Sequence, residues 1–346
     1  MPAIFMRKTH ARPHPNSGIQ KADRWEIAPR MPAPRPLPDA ALNPTDLLLY
    51  VATVLIFGSG WLPLKLQLGV VAPEVSGVWR FLAASLVMLA IVKATGSRMR
   101  FTLNDHLLFA AMGATLFSLN FVSFYYAGFH MPSGLLSVIF ALSAVFIPFL
   151  SAIFLGLPLR RRVLAGAAAG IVGLVLVFGP AAADGAGMHG IGTGLALSLV
   201  GTVCFSLGSF FSGIAGRRGY PLPSLTAWGF FYGLVFLALI ALLRGSPFIV
   251  EWNARYLGSL AYLVAAQTLS GFAVYLLLIR RIGASRAGYG TVLFPLVALA
   301  LSTWFEAFHW TLTAASGIAL VLAGALLVLM PERPVLETAQ RTSPPL

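Results

Sequence analysis

Two basic residues, Lys65 and Arg80, lie within long apolar stretches of the sequence. Charged side chains are costly inside a membrane and usually mark a functional site where they occur there. Phe57, Trp61 and Lys65 follow one another at four-residue intervals, so one helix face would present two aromatic rings and a cation. That face could form a gate or contact an anionic group of a substrate. The alternatives are that Lys65 and Arg80 reach interfacial water, or that one of them pairs with Glu74.

Other polar side chains share helix faces within the apolar runs and extend this set of candidates. The candidates for a substrate cavity are Trp61, Lys65, Asn120, Ser123, Tyr126, Ser206, Gln267 and Tyr275. Buried amides such as Asn120 and Gln267 need hydrogen-bond partners, so they either join helices or line a wet cavity. Ser206 belongs to a stripe of hydroxyl residues at four-residue spacing, and such hydroxyls often bond back to their own helix.

A second set of candidates concerns structure and gating. Pro63, Pro148 and Pro295 fall within apolar runs, where a proline removes a backbone hydrogen bond and kinks the helix. Such breaks suit discontinuous helices around a transport site, although prolines are also simply frequent in membrane helices. Arg80, near the start of the second run, is expected to hold the first two helices together.

The composition determines which elements can position these residues. The 346 residues are 58 % hydrophobic and only 10 % charged, which excludes a soluble enzyme with a separate substrate domain. The runs are too long for strands and lack alternation, so an outer-membrane barrel is excluded as well. We predict an all-α membrane protein with ten transmembrane helices at about 47–69, 75–95, 106–129, 133–155, 163–179, 190–214, 223–243, 256–279, 287–308 and 312–330.

Basic residues between the runs predict the orientation. With the N-terminus in the cytoplasm, 20 of the 24 lysines and arginines fall on the cytoplasmic side and two, Arg244 and Arg255, fall outside. Lysines and arginines in short loops set membrane topology, so both termini are predicted to be cytoplasmic in the inner membrane. The net charge of +13 is scattered between apolar runs, so no nucleic-acid partner is expected. The single Cys204 excludes a disulfide framework within the chain, and no metal or cofactor is expected.

The runs also predict the domain organisation. A proline-rich and arginine-rich disordered arm occupies 1–45, five-helix repeats occupy 46–179 and 190–331, and a cytoplasmic tail occupies 332–346. An odd number of spans per repeat makes the second repeat inverted, with a binding site between the halves. The GxxxG motif at 166–170 allows a homodimer contact or packing within the chain, and internal packing is the commoner outcome.

The opening of the first repeat carries a resemblance to a known family. The run Phe57-Gly58-Ser59-Gly60-Trp61-Leu62-Pro63-Leu64-Lys65, then Pro73 and Arg80-Phe81, resembles the start of the EamA family in the drug/metabolite transporter superfamily. Gly166 and Gly173 resemble its later part, with Gly317 and Gly324 at matching places in the second half. The chain departs from the family pattern in four places. Phe57 replaces a tryptophan, Ala144 replaces a proline, and Leu157 and Phe308 stand where the family has glutamates. Glu306 lies two residues before Phe308.

The resemblance implies a secondary transporter rather than an enzyme, for small metabolites, amino-acid-like solutes or drugs, acting by efflux or exchange. The partners it implies are a small-molecule substrate and the lipid bilayer. A membrane-embedded lipid-linked transferase and a non-transporting membrane subunit are the alternatives. The cytoplasmic loops hold mostly arginine and few acids, which argues against the enzyme. The resemblance does not indicate the substrate or the direction of transport. The coupling ion is not indicated either, because no carboxylate lies in the middle of a span.

Overall fold

A computed structural model of the chain describes residues 43–156, 158–183, 188–282, 287 and 289–330. Apart from residues 43–45, the predicted arm at 1–45 lies outside the described residues, as does the tail at 332–346. Every regular element in the described ranges is helical, so the predicted all-α class is confirmed.

The described helices, in chain order, are α1 (Pro44–Ser59), α2 (Trp61–Leu66), α3 (Pro73–Thr95), α4 (Leu103–Ala114), α5 (Asn120–Gly128), α6 (Ser133–Phe140), α7 (Ser143–Leu155), α8 (Arg161–Ala183), α9 (Met188–Arg217), α10 (Leu222–Leu243), α11 (Ala254–Tyr262), α12 (Gly271–Ile282), α13 (Gly290–Phe305) and α14 (Leu312–Leu329). Two connecting segments are π-helical: Thr115–Leu119 joins α4 to α5, and Leu263–Ser270 joins α11 to α12.

Nine helical stretches of the described chain are long and apolar enough to cross a membrane. They match the first eight predicted spans and the tenth, so the chain is a multi-pass membrane protein. The predicted ninth span, 287–308, is described as a shorter apolar helix, α13. This helix ends before Glu306 because the chain turns there: Ala307 has a φ of 52°, and the Phe308 N–H donates back to the Ser302 carbonyl at 3.2 Å.

The first and fourth spans are interrupted helices. The first span divides at Gly60, between α1 and α2. Pro63 has no N–H, so the Ser59 carbonyl loses the helical donor four residues ahead, which favours a break at this point. The fourth span divides between α6 and α7, upstream of Pro148, which lies inside α7. Pro295 likewise lies inside a helix, α13.

The helices that end the two halves, α8 and α14, cross with their backbones in contact. A Cβ atom on Gly173 would lie 2.6 Å from the Gly317 carbonyl oxygen, and one on Gly317 would lie 2.5 Å from that of Gly173. Gly166 and Gly324 oppose each other in the same way, at 2.7 and 2.8 Å. The higher number in α8 faces the lower number in α14, so the helices run antiparallel. The GxxxG motif that begins at Gly166 therefore packs within the chain.

The two halves share a further structural feature. The third span of the first half contains the π-helical segment Thr115–Leu119, and the third span of the second half contains Leu263–Ser270. A π-helical turn widens the helix locally, displaces its side chains and is frequent at functional sites. Its recurrence at the matching place indicates that the halves are built alike and directs attention to the residues beside both segments.

Candidate binding cavity

A cavity of about 450 Å³ lies between helices of both halves. Ten of its 24 described lining residues are aromatic: Phe57, Trp61, Phe81, Phe117, Phe121, Phe124, Phe140, Phe205, Tyr275 and Phe294. The polar part of the wall consists of Arg80, Asn120, Ser143, Ser209, Ser212, Gln267, Thr268 and Thr291. Small-molecule sites typically have volumes of roughly 300–1,000 Å³ and combine apolar walls with a few polar groups, as this cavity does.

Arg80 is the cation of the cavity wall. Its side chain extends from α3 and is only 2 % exposed. Its Nε donates to Thr268 Oγ1 at 2.9 Å, and its Nη2 donates to Gln267 Oε1 at 3.0 Å. The guanidinium carbon lies 4.4 Å from the centre of the Phe121 ring, within cation–π distance. The third nitrogen, Nη1, is buried, and the Tyr125 hydroxyl is a neutral hydrogen-bonding neighbour of this guanidinium.

The partners of Arg80 come from the second π-helical segment. Thr268 Oγ1 donates to the Leu263 carbonyl, five residues back, at 2.8 Å. Gln267 lies against the break in the first span, where a Cβ atom on Gly60 would be 2.1 Å from Gln267 Nε2. Only a glycine leaves room for the amide at that distance. The break at Gly60 and the π-helical segment thus meet where Arg80 is held.

Four of the predicted cavity residues lie together in this wall: Trp61, Asn120, Gln267 and Tyr275. Trp61 packs edge-to-face with rings of the third and fourth spans, at centroid distances of 5.0 and 5.3 Å. Asn120 follows the first π-helical segment, and its Nδ2 donates to the Leu116 carbonyl at 3.0 Å. Arg80, predicted as a structural residue, lies in the same wall.

The other predicted candidates are not among the described residues that line the cavity. Ser206 Oγ donates to the Thr202 carbonyl of its own helix at 2.7 Å, which satisfies the hydroxyl locally. Ser123 is buried in α5. Tyr126 donates its hydroxyl proton to Glu74 Oε2 at 2.9 Å. Lys65 belongs to an ion pair at one end of the bundle.

That end carries the loops at 67–72, 129–132, 244–253 and 306–311, and we call it the closed end. Lys65 Nζ lies 3.0 Å from Glu306 Oε1 and donates to the Met131 carbonyl at 2.9 Å. The Ser133 N–H donates to Glu306 Oε2 at 2.9 Å. These contacts tie the first, fourth and ninth spans together.

A second carboxylate network lies at the closed end. Glu74 is fully buried, and its Oε1 lies 3.1 Å from Arg244 Nε and accepts a hydrogen bond from Ser246 at 2.6 Å. Glu74 therefore pairs with Arg244 rather than with Lys65 or Arg80, the partners considered from the sequence. The Tyr126 hydroxyl occupies the other carboxylate oxygen.

The opposite end of the bundle carries its own contacts between halves. Arg281 of α12 forms an ion pair with Asp46 of α1. Arg218 Nη1 lies 3.4 Å from Asp105 Oδ1, and the Tyr220 hydroxyl donates to the same oxygen. Burial, together with this hydrogen bond to Asp105, raises the pKa of Tyr220, so the phenol stays protonated and keeps donating.

Sequence reasoning missed several residues of the cavity and of the closed end. Thr268 is adjacent to the candidate Gln267, and the π-helical turn brings both side chains to Arg80. Phe81 and Phe121, whose rings lie next to each other beside Arg80, look like ordinary apolar residues in the sequence. In the sequence, Glu306 stands out only as a displaced family glutamate. Its contact with Lys65 joins residues of different repeats, which no local pattern predicts.

An apolar helical bundle with a cavity shared between two similar halves is the architecture of a membrane transport protein. Residues 45–179 and 192–330 each match the EamA-like transporter family. The chain belongs to the EamA-like transporter family, which confirms the family expected from the sequence.

Two relatives of this chain are named as transporters. One is the uncharacterized transporter YvbV of Bacillus subtilis (strain 168), 26 % identical over 284 residues that cover 81 % of this chain and 90 % of that protein. The other is an uncharacterized transporter of Archaeoglobus fulgidus, 26 % identical over 280 residues, or 80 % of this chain and 95 % of that protein. A crystal structure of a protein superposes with a TM-score of 0.56 at 21 % identity, over 82 % of this chain and 96 % of that one, and shows the same fold.

Proposed function

We propose that this protein is a secondary transporter that moves small metabolites, amino-acid-like solutes or drugs across the inner membrane by efflux or exchange. It works by alternating access: the solute binds in the cavity between the two halves, and the halves expose that cavity to each side in turn. Trp61, Asn120, Gln267 and Tyr275 contact the solute. Lys65 acts at the closed end as a gating residue.

One observation carries this proposal: the cavity is shared by both halves, and its wall continues away from the closed end. Ser212, Thr291 and Leu329 line it, and each stands near the other end of its helix. The ion pairs of Lys65 and Glu74 lie at the closed end. This arrangement is the one expected for a state loaded from the opposite end, because ion pairs are contacts that can form and break.

The proposal includes a topology of ten spans with inverted halves and both termini in the cytoplasm. The antiparallel contact of α8 and α14 supports the inversion, since the last helices of inverted repeats run in opposite directions. The distribution of arginine and lysine supports the orientation. The closed end then faces the periplasm, and the conformation described here is loaded from the cytoplasm.

Counterflow of labelled solutes into proteoliposomes, compared with protein-free liposomes, tests the proposed function. Ala144 lies in the cavity wall, so Ala144→Phe should obstruct the cavity and abolish counterflow. The matched control is Ala90→Phe, because Ala90 is exposed on the outside of α3 and the same ring would face lipid. The proposal fails if no solute of a broad panel exchanges, or if both variants transport as the unmodified chain does.

A further inference from the structure

The cavity has an uncompensated positive charge. Arg80 stands in its wall, and none of the described residues that form this wall is acidic. The described ion pairs join Lys65, Arg218, Arg244 and Arg281 to carboxylates, and none of them involves Arg80. Its acceptors, Gln267 and Thr268, are neutral.

The guanidinium is held ready for an additional acceptor. Two of its nitrogens are oriented by Thr268 and Gln267, and its other polar neighbour, the Tyr125 hydroxyl, is neutral as well. A buried charge without a counter-charge is unfavourable, and an anion bound at the cavity wall would supply that counter-charge. A planar guanidinium matches a carboxylate better than any other side chain does.

The remainder of the wall indicates what the anion is attached to. The ring centres of Phe121 and Phe81 lie 4.4 Å and 5.6 Å from the guanidinium carbon and 5.4 Å from each other, so an acidic group bound at Arg80 has a pair of contacting aromatic rings beside it. Trp61, Phe124 and further rings continue that surface through the cavity. An aromatic body fits these walls, because edge-to-face and offset contacts between rings are favourable.

The charge of the wall also excludes one class of solute from the best ligands. An amino-acid zwitterion would bring an ammonium group close to Arg80, and the described wall has no carboxylate to balance it. Like charges in an apolar cavity repel more strongly than in water. A cationic amine lacks the acidic group altogether.

We propose, on the basis of the transport function above, that the preferred solute is an aromatic monocarboxylate without an amino group, with its carboxylate on Arg80. The aromatic body of the solute lies against Trp61, Phe121 and Phe124. Arg80 is a binding residue in this proposal, while Thr268 and Gln267 position it.

Binding to the purified full-length chain in detergent tests the preference without requiring transport. Labelled 3-phenylpropionate is bound in a scintillation proximity assay and displaced by 3-phenylpropionamide, phenylalanine or phenethylamine, which carry the same ring. We expect 3-phenylpropionate to bind at least about tenfold more tightly than each of the other three, since a hydrogen bond to a charged group contributes that much. Equal or tighter binding of phenylalanine or of the amide overturns the proposal, as does the absence of saturable binding to a folded protein.

Variants assign the preference to Arg80. Arg80→Gln should weaken binding of 3-phenylpropionate by about tenfold or more and leave that of the amide unchanged. Arg80→Lys keeps the positive charge but lacks the planar pair of donors. Its affinity for 3-phenylpropionate should lie between those of the unmodified chain and Arg80→Gln. Arg255→Gln removes an exposed arginine outside the cavity wall and should change neither affinity. An unchanged carboxylate preference in folded Arg80→Gln contradicts the assignment.

Arg80 is deeply buried, so a second variant protects the test against misfolding. Thr268→Val removes one hydrogen bond that orients the guanidinium and keeps the side-chain volume. It should reduce the ratio of carboxylate to amide affinity, and an unchanged ratio counts against the proposal. The two proposals fail separately. If 3-phenylpropionate binds most tightly but no solute shows counterflow, transport alone is refuted. If other solutes show counterflow but 3-phenylpropionate is not preferred in binding, the anion preference alone is refuted.

Discussion

Lys65 and Glu306 show how a residue's role depends on what the rest of the chain brings to it. The pair is partly exposed on the lysine side and nearly buried on the glutamate side, with side-chain exposures of 29 % and 10 %. The Met131 carbonyl and the Ser133 N–H supply further hydrogen bonds to this pair. Lys65 therefore stabilises the closed end rather than lining the cavity.

A double-mutant cycle measures that stabilisation. Lys65→Gln and Glu306→Gln should each lower the resistance to unfolding in detergent, because each leaves a partner without its counter-charge. The double variant should lose less than the sum of the two, with a coupling energy of about 1 kcal/mol. The matched control is Arg255→Gln combined with Glu306→Gln, in which the two effects should simply add. Strict additivity in the Lys65 cycle would show that the two side chains do not interact.

At the residue scale, the sequence predicts which side chains share a helix face but not which face meets the cavity. Asn120 directly follows the first π-helical segment and lies in the cavity wall, and Gln267 lies within the second segment and contacts Arg80. Ser206 has the same kind of helical spacing, yet its hydroxyl bonds to its own helix. The difference depends on a local widening of the helix at Thr115–Leu119 and Leu263–Ser270. The residue types in these two segments do not predict a π-helical turn.

Among the helices, the α8–α14 pair is the clearest case of packing set by residue size. Gly317 lets the Gly173 carbonyl approach to a distance where no side chain fits. The sequence has glycines at matching places in the two halves, and the GxxxG motif that begins at Gly166 predicts close approach of another helix backbone. Their reciprocal pairing is a property of the assembled bundle, because it requires both helices to run in opposite directions.

Substitution of one of these glycines tests the contact. Gly317→Val should force the helices apart, because its Cβ would lie 2.5 Å from the Gly173 carbonyl oxygen. We expect a loss of about 2 kcal/mol or more in unfolding free energy, comparable to other overpacked sites. Gly192→Val is the matched control, since a Cβ there meets no atom within 4 Å. Comparable melting temperatures for both variants would contradict the described packing.

For the whole molecule, the strongest expectation from the sequence is the topology. Reporter fusions after Arg100, Arg162, Arg218 and Arg286 should report the cytoplasm, because each follows a basic segment that stays inside. Fusions in the 180–189 and 244–255 segments should report the periplasm. Two fusions in consecutive loops control for each other, because they should report opposite sides of the membrane. Two or more inverted signals would refute the orientation with both termini in the cytoplasm.

The glycine contacts of α8 and α14 also bear on which helices stay fixed in the proposed transport cycle. Two helices whose backbones touch at Gly166–Gly324 and at Gly173–Gly317 cannot slide without driving carbonyl oxygens into neighbouring atoms. In the proposed transport cycle we therefore expect this helix pair to stay fixed while the spans around it rearrange. Amide hydrogen exchange should be slowest in α8 and α14 and indifferent to added solute. Exchange in α2 and α6, at the closed end, should respond to solute. A response to solute confined to α8 and α14 would contradict this expectation, because it would show that this helix pair rearranges and the spans around it do not.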